Sequence, residues 1–340
     1  DWSSDVCSSD PFFVFGRLKL GCKYSDPYLK FNNTSRRAGW RLHPAFFMDS
    51  KMKCLSLKSF REKTILKSSA SSITPNMEWL SMNKSLEQIS CNSPWIIAHR
   101  GFKKKYPENT LVAFQAAMDT GVPMIELDVT LSRDRQLVVI HDATLNRTTN
   151  GHGPVHDYTL EELKQLDAGS WFHADFGEQR LPELGEVLEL VDGRVITNIE
   201  IKSHAYEPHH PPDAIEKQVV EMVKKKKLLD SILISSFDRN VLEQISLMET
   251  PPQIALISKN PLERNIVEIC KRLDTFSWHP DQRIVTLRQV RKLHAAGIRV
   301  FPYKVDTPED CARMIGLNVD GVITDDPVSA RRWSEVKKAA

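Results

Sequence analysis

Two histidines and a group of carboxylates stand at the ends of short apolar runs in this 340-residue chain. In order the segments are His99-Arg100-Gly101, Pro107-Glu108-Asn109-Thr110, Glu126-Leu127-Asp128, His141-Asp142 and Glu200-Ile201-Lys202. Such runs read as buried strands, and polar groups at their ends are costly unless paired or used. Histidine titrates near neutrality, so one of a pair can take a proton while the other gives one. Side chains two apart on a strand point to one side. Glu126 and Asp128 therefore share a face, and Glu200 and Lys202 share one on the next barrel strand. Three carboxylates at neighbouring strand ends repel one another unless a cation lies between them. One hard divalent ion, Mg²⁺ or Ca²⁺, suits an all-oxygen set better than zinc does. The residues alone equally allow a second reading, in which these carboxylates pair with Arg100 and Lys202 as a structural ion network.

The elements that position these groups follow from periodicity. Eight apolar runs rich in Ile and Val recur: Trp95–Ala98, Met124–Val129, Val195–Ile201, Ile232–Ser235, Ile254–Ile257, Thr275–Trp278, Val300–Tyr303 and Gly321–Thr324. Helical patterns separate them, which predicts an all-parallel sheet covered on both faces. Eight such units predict a (β/α)8 TIM barrel, whose active site lies at the carboxyl ends of the strands. Thr159-Leu160-Glu161-Glu162 and Thr286-Leu287-Arg288-Gln289 fit capping boxes, and Thr307-Pro308 places proline at a first helical position. Gly121 and Gly297 stand where helices should stop. Asn109 reads as a helix N-cap. A ninth run, Leu137–Ile140, follows the second strand too closely for a parallel crossover, so it must fold back as an antiparallel hairpin. That turn brings His141 beside Glu126 and Asp128. Residues 143–181, with a short helix over Leu160–Leu166, read as a small inserted subdomain over the mouth.

Together with Leu145-Asn146-Arg147-Thr148-Thr149, Ser235-Ser236-Phe237 and Asp320-Gly321-Val322-Ile323-Thr324-Asp325-Asp326-Pro327, these motifs resemble the glycerophosphodiester phosphodiesterase family over roughly residues 94–332. The resemblance implies metal-dependent hydrolysis of glycerophosphodiesters to sn-glycerol 3-phosphate and an alcohol. It implies Glu126, Asp128 and Glu200 as metal ligands and His99 and His141 as acid and base, in an order the sequence leaves open. One histidine deprotonates the glycerol hydroxyl next to the phosphodiester, the other protonates the leaving alcohol, and water opens a cyclic phosphate. Arg100 grips the phosphate, Lys202 offsets developing charge, Tyr303 walls the pocket, and Phe237 walls the glycerol side or is simply core. Many family members carry Trp-Thr-Val-Asn where this chain has Tyr303-Lys304-Val305-Asp306, which leaves the alcohol side open. The other histidines outside the leader, His279 among them, have no comparable setting. Two alternatives stand beside this reading. One is a lysophospholipase D-like enzyme with an apolar rim near Trp171 and Phe172. The other is a non-catalytic phosphodiester-binding barrel, which loss of a histidine or metal carboxylate would favour.

Charge is nearly balanced, 46 Lys+Arg against 44 Asp+Glu, yet residues 1–90 are net +6 and residues 91–340 net −4. No basic stripe with interleaved aromatics appears, which excludes a nucleic-acid partner. The run Lys224–Lys227 sits at a helix end, where it complements the dipole. None of the six cysteines forms a CxxC pair; with no apolar run of membrane-span length, a cytoplasmic protein with reduced thiols is expected. Residues 1–90 show no sustained periodicity and are read as a disordered or non-native leader, and 91–340 as the barrel. Asp1–Asp10 resembles a translated sequencing-adapter remnant, and Met77 or Met82 is the expected start.

Overall fold

The computed structural model describes residues 84–88, 94–260 and 265–336. The expectations about residues 1–83, the leader's cysteines and Met77 or Met82 lie outside them; residues 84–88, read with the leader, instead hold a 3₁₀ turn, Leu86–Gln88, whose Leu86 is buried in the barrel's interior cluster. Among the described residues nine strands form one sheet: β1 (Trp95–His99), β2 (Met124–Leu131), β3 (Leu137–Val139), β4 (Ile196–Ile201), β5 (Ile232–Ser236), β6 (Gln253–Ser258), β7 (Ser277–Pro280), β8 (Arg299–Val300) and β9 (Gly321–Thr324). Eight are parallel in the order β8-β7-β6-β5-β4-β2-β1-β9. The seam between the end strands is bridged by backbone: Ile323 N–H donates to Pro302 O at 2.9 Å, and Val305 N–H to Ile323 O at 2.9 Å. The architecture is a TIM barrel.

Strand alternation divides the apolar residues into two sets. Trp95, Ile97, Met124, Ile196, Leu233, Ala255, Phe301 and Ile323 fill the barrel's interior, while the residues between them meet the surrounding helices. Successive inward positions on β1, β2 and β4 run from apolar to polar: Ile97 then His99, Met124 then Glu126 and Asp128, Ile196 then Asn198 and Glu200. The lower barrel is thus a packed core and the upper barrel a polar mouth.

The sequence signals for helix ends act as expected at five places. Thr159 and Thr286 form complete capping boxes, and Thr307 caps the helix that Pro308 opens. Gly121 and Gly297 adopt φ of +72° and +75° just past helix ends. Helix α1 (Leu111–Asp119) departs from expectation. Its N-cap is Thr110, whose hydroxyl accepts from Ala113 N–H at 3.4 Å. Asn109, taken for the cap, is left-handed at φ +57° and turns its side chain to Asp128 instead. Two adjacent polar residues competed for one role, and the hydroxyl took it.

β3 is antiparallel to β2, with Val129 opposite Val139 and Leu131 opposite Leu137. The inserted segment follows it. Its regular helix is shorter than expected, Leu160–Leu163, flanked by single 3₁₀ turns at Val155–Asp157 and Ala174–Phe176. It has its own apolar cluster of Val138, Ile140, Leu145, Val155, Leu163, Ala168 and Leu181.

Candidate active site

A turn at the end of β1 starts the site. Arg100 and Gly101 are left-handed, at φ +57° and +81°. A Cβ on Gly101 would stand 2.6 Å from the backbone carbon of Ala113, so only glycine lets this turn lie against α1. The turn aims Arg100 N–H at Glu126 Oε2, 2.9 Å away. Arg100 then sends its guanidinium between Glu108 (2.7 Å) and Asp128 (3.1 Å). Left-handed backbone at a non-glycine residue is uncommon and is held here by that set of partners.

Glu126, Asp128 and Glu200 are all buried, and each offers a carboxylate oxygen within 4.8 Å of the others. At that separation two like charges repel by roughly 3–4 kcal/mol at an effective dielectric of about 20. Their ionisation shows the conflict. Burial, then Asp128 and Glu200, push Glu126 well above the usual carboxylate range. Burial and Asp128 push Glu200 up to about 7. Asp128 moves the other way: burial opposes its charge, but Arg100 and Lys202 outweigh that and hold it low. Lys202 donates to Asp128 Oδ1 at 3.1 Å and Glu200 Oε1 at 2.6 Å, and Asn109 donates to Asp128 Oδ2 at 2.9 Å. The two cations of the ion network thus satisfy Asp128 and leave Glu126 and Glu200 under strain. A buried all-oxygen trio that two cations do not neutralise fits a divalent metal site.

The histidines have matching settings. His99 Nδ1 donates to Asp325 Oδ1 at 2.5 Å, and His141 Nδ1 donates to Asp142 Oδ1 at 2.5 Å. Burial, then Arg100, pull His99 down to about 4; burial also lowers His141, against the pull of Asp128. Each carboxylate is itself braced. Lys304 donates to Asp325 Oδ2 at 2.7 Å, and Arg147 Nε to Asp142 Oδ2 at 2.7 Å. Arg147 also forks onto Glu108, at 2.9 and 2.8 Å. Glu108 joins the two banks of the mouth, accepting from Arg100 on one side and Arg147 on the other. Burial opposes its charge, yet Arg147 and Arg100 hold it down to about 2.

These groups surround one cavity of about 200 Å³. His99, Arg100, Glu126, His141 and Glu200 line one side, and Phe237, Ile257, His279 and Tyr303 the other. Phe237 and Tyr303 meet edge to face with centroids 6.1 Å apart. Lys202 lies on the carboxylates and is not among the lining residues. The departure at Tyr303-Lys304-Val305-Asp306 has a local use. Lys304 binds Asp325, and Asp306 Oδ1 accepts from Asp325 N–H at 2.8 Å. Both added charges go to the residue that holds His99.

His279 was missed in the sequence. Its strand was expected to span Thr275–Trp278 but runs Ser277–Pro280, and two further residues bring the histidine into the mouth. The alternation of Ser277 and His279 was the available signal. The partners Asp325, Asp142 and Arg147 lay within quoted or adjacent segments, but nothing local assigned them to the histidines.

With this geometry in place, known proteins supply the context. A profile of the Glycerophosphoryl diester phosphodiesterase family matches residues 99–329. A glycerophosphodiester phosphodiesterase of Caldanaerobacter subterraneus subsp. tengcongensis is 42% identical over 236 residues, 68% of this chain and 94% of the relative. One from Bacillus altitudinis is 38% identical over 247 residues, covering 72% and 99%. Among solved structures, an Oleispira antarctica phosphodiesterase in complex with the product sn-glycerol-3-phosphate superposes with a TM-score of 0.64 at 28% identity, covering 72% of this chain and 97% of that one. The chain belongs to the glycerophosphoryl diester phosphodiesterase family and is an enzyme of that class, a phosphodiesterase of glycerophosphodiesters.

Proposed function

We propose that this enzyme releases sn-glycerol 3-phosphate and an alcohol from glycerophosphodiesters, with His99 and His141 as acid and base across the cavity. The observation that carries the reading is the pair of carboxylate-held histidines flanking the three-carboxylate cluster. Each histidine commits Nδ1 to an aspartate, so Nε2 is the nitrogen that exchanges protons with substrate. One takes the proton of the glycerol hydroxyl adjacent to phosphorus as that oxygen attacks. The other gives a proton to the departing alcohol oxygen. Reversal of the two roles lets water open the cyclic phosphate. Lowered basicity keeps the accepting ring neutral, while the giving ring enters the step as an imidazolium that carries its proton on Nε2 and is stabilised by its aspartate.

Glu126, Asp128 and Glu200 would hold one divalent cation, Mg²⁺ or Ca²⁺, which when bound offsets charge on the phosphoryl oxygens. Arg100 lies on the cavity wall and supplies a donor fork toward a phosphate. Lys202 helps keep Asp128 ionised and donates to Glu200. Phe237 and Tyr303 wall the alcohol side. The catalytic unit is residues 91–340 with its insertion at 143–181, and its substrate is a small-molecule glycerophosphodiester. Among the described residues no helix is long and apolar enough to cross a membrane. Cys270 and Cys311 are buried, and the wide spacing of the cysteines suits a reducing, cytoplasmic setting.

The test is a side-by-side assay of glycerophosphocholine, glycerophosphoethanolamine and a lysophospholipid, after chelation and then with Mg²⁺ or Ca²⁺ added back. The expected result is hydrolysis of the two glycerophosphodiesters that chelation abolishes and one ion restores. Preference for the lysophospholipid would replace this reading with the lysophospholipase D-like one. Chelator-resistant activity would remove the metal.

A further inference from the structure

Two polar side chains inside the cavity take no part in the chemistry above. Asn198 is 1% exposed, lies two residues before Glu200 on the same face of β4, and so sits about 6–7 Å deeper in the barrel. His279 is also 1% exposed and stands on β7 across the cavity. Both line it. Asn198 Oδ1 and His279 Nδ1 are buried without a hydrogen-bond partner. The other ring nitrogen, His279 Nε2, is engaged by Ser277 Oγ at 2.9 Å. Around them the wall is apolar, with Ile257 and Ile323. Buried polar groups are nearly always satisfied, so two orphans on one cavity floor call for a partner that the protein does not supply.

We propose that Asn198 and His279 form a hydroxyl-binding floor that receives the terminal hydroxyl of the substrate's glycerol unit, the one remote from phosphorus. This rests on the glycerophosphodiesterase reading of the site. The chemistry selects a hydroxyl. Burial pulls His279 down to about 3, with no charged neighbour contributing, so the ring is neutral at working pH. A neutral imidazole beside an amide offers no charge to a phosphate or carboxylate. It does offer one donor and one acceptor, and a hydroxyl both donates and accepts. With Ser277 donating to Nε2, Nδ1–H gives its hydrogen bond to the hydroxyl oxygen, and the hydroxyl proton goes to Asn198 Oδ1. The charged groups lie toward the strand ends, so a glycerol unit set with its phosphate among them directs its far hydroxyl down to this floor.

The experiment compares glycerophosphocholine with the phosphocholine diester of propane-1,2-diol, which keeps the hydroxyl next to phosphorus and lacks the terminal one. The wild-type enzyme should favour the glycerol substrate in kcat/KM on the order of 10- to 100-fold, because the analogue leaves both floor groups unpaired. In His279→Phe that ratio should fall toward one, and in His279→Asn, whose amide reaches where Nδ1 stands, part of it should return. A purely structural role would lower both rates and keep the ratio, and that result would overturn the proposal. So would a wild-type ratio near one with brisk hydrolysis of both diesters; that outcome needs no variant and leaves the phosphodiesterase reading intact. If the wild type hydrolysed neither diester, the function itself would fall and the floor with it.

Discussion

The two banks of the cavity are built on opposite plans. At the ends of β1, β2 and β4 the charged side chains and His99 are each held by at least one partner. Arg100 is fixed by Glu108 and Asp128, Asp128 by Lys202 and Asn109, and His99 by Asp325. On the far bank Phe237 is 37% exposed and touches Tyr303 edge-on, and His279 leaves a nitrogen unpaired. Rigid, mutually braced charges suit a reaction whose transition state is stabilised by preorganised groups. Aromatic and neutral polar groups with few partners suit recognition of the substrate's uncharged parts. On the proposed reading, the contrast separates residues that set how fast the bond breaks from residues that set which diester is accepted.

The contrast can be broken most sharply at the histidines. His99→Ala and His141→Ala should each lower kcat by a factor on the order of 10²–10⁴ with the melting temperature little changed. Near-normal turnover in either variant would remove that residue from the charged bank's chemistry. A smaller effect is expected one layer out. Asp325→Asn and Asp142→Asn leave the rings in place but weaken their orientation and their stabilisation as cations, and kcat should fall roughly 10- to 100-fold by analogy with carboxylates that orient ligating histidines. An effect on KM alone would show that the aspartates serve binding rather than proton transfer. The smallest change belongs to the other bank. Phe237→Ala should shift KM for glycerophosphocholine by less than about 10-fold and leave kcat within a factor of a few. A loss in kcat to match His99→Ala would dissolve the distinction between the banks.

Much of the charged bank was legible because its residues are consecutive or two apart on strands, where a period of two decides which way they point. Glu126 and Asp128 need no tertiary information to share a face, and the shortness of the Ser132–Gln136 link suffices to turn β3 back and deliver His141. The bracing network was not legible. Glu108 meets Arg147 across 39 residues and His99 meets Asp325 across 226, pairings that only barrel closure creates. Asn109 illustrates the local limit: Asn and Thr are both good caps, and the choice between them was made by Asp128, which no helix rule can see. On the far bank His279 was hidden by ending a strand at its last large apolar residue, Trp278, although inward positions near a barrel mouth are where strands stop being apolar.

The antiparallel arm β3 has a consequence for when the enzyme can work. His99 and the three clustered carboxylates ride on the barrel, whereas His141 rides on an arm whose Val138 and Ile140 pack into the separate core of the insertion. On the proposed reading, catalysis needs the barrel and the insertion's core together, because each carries one of the two histidines. Loosening the insertion alone would then silence the reaction while the barrel stands, so turnover would report the integrity of both.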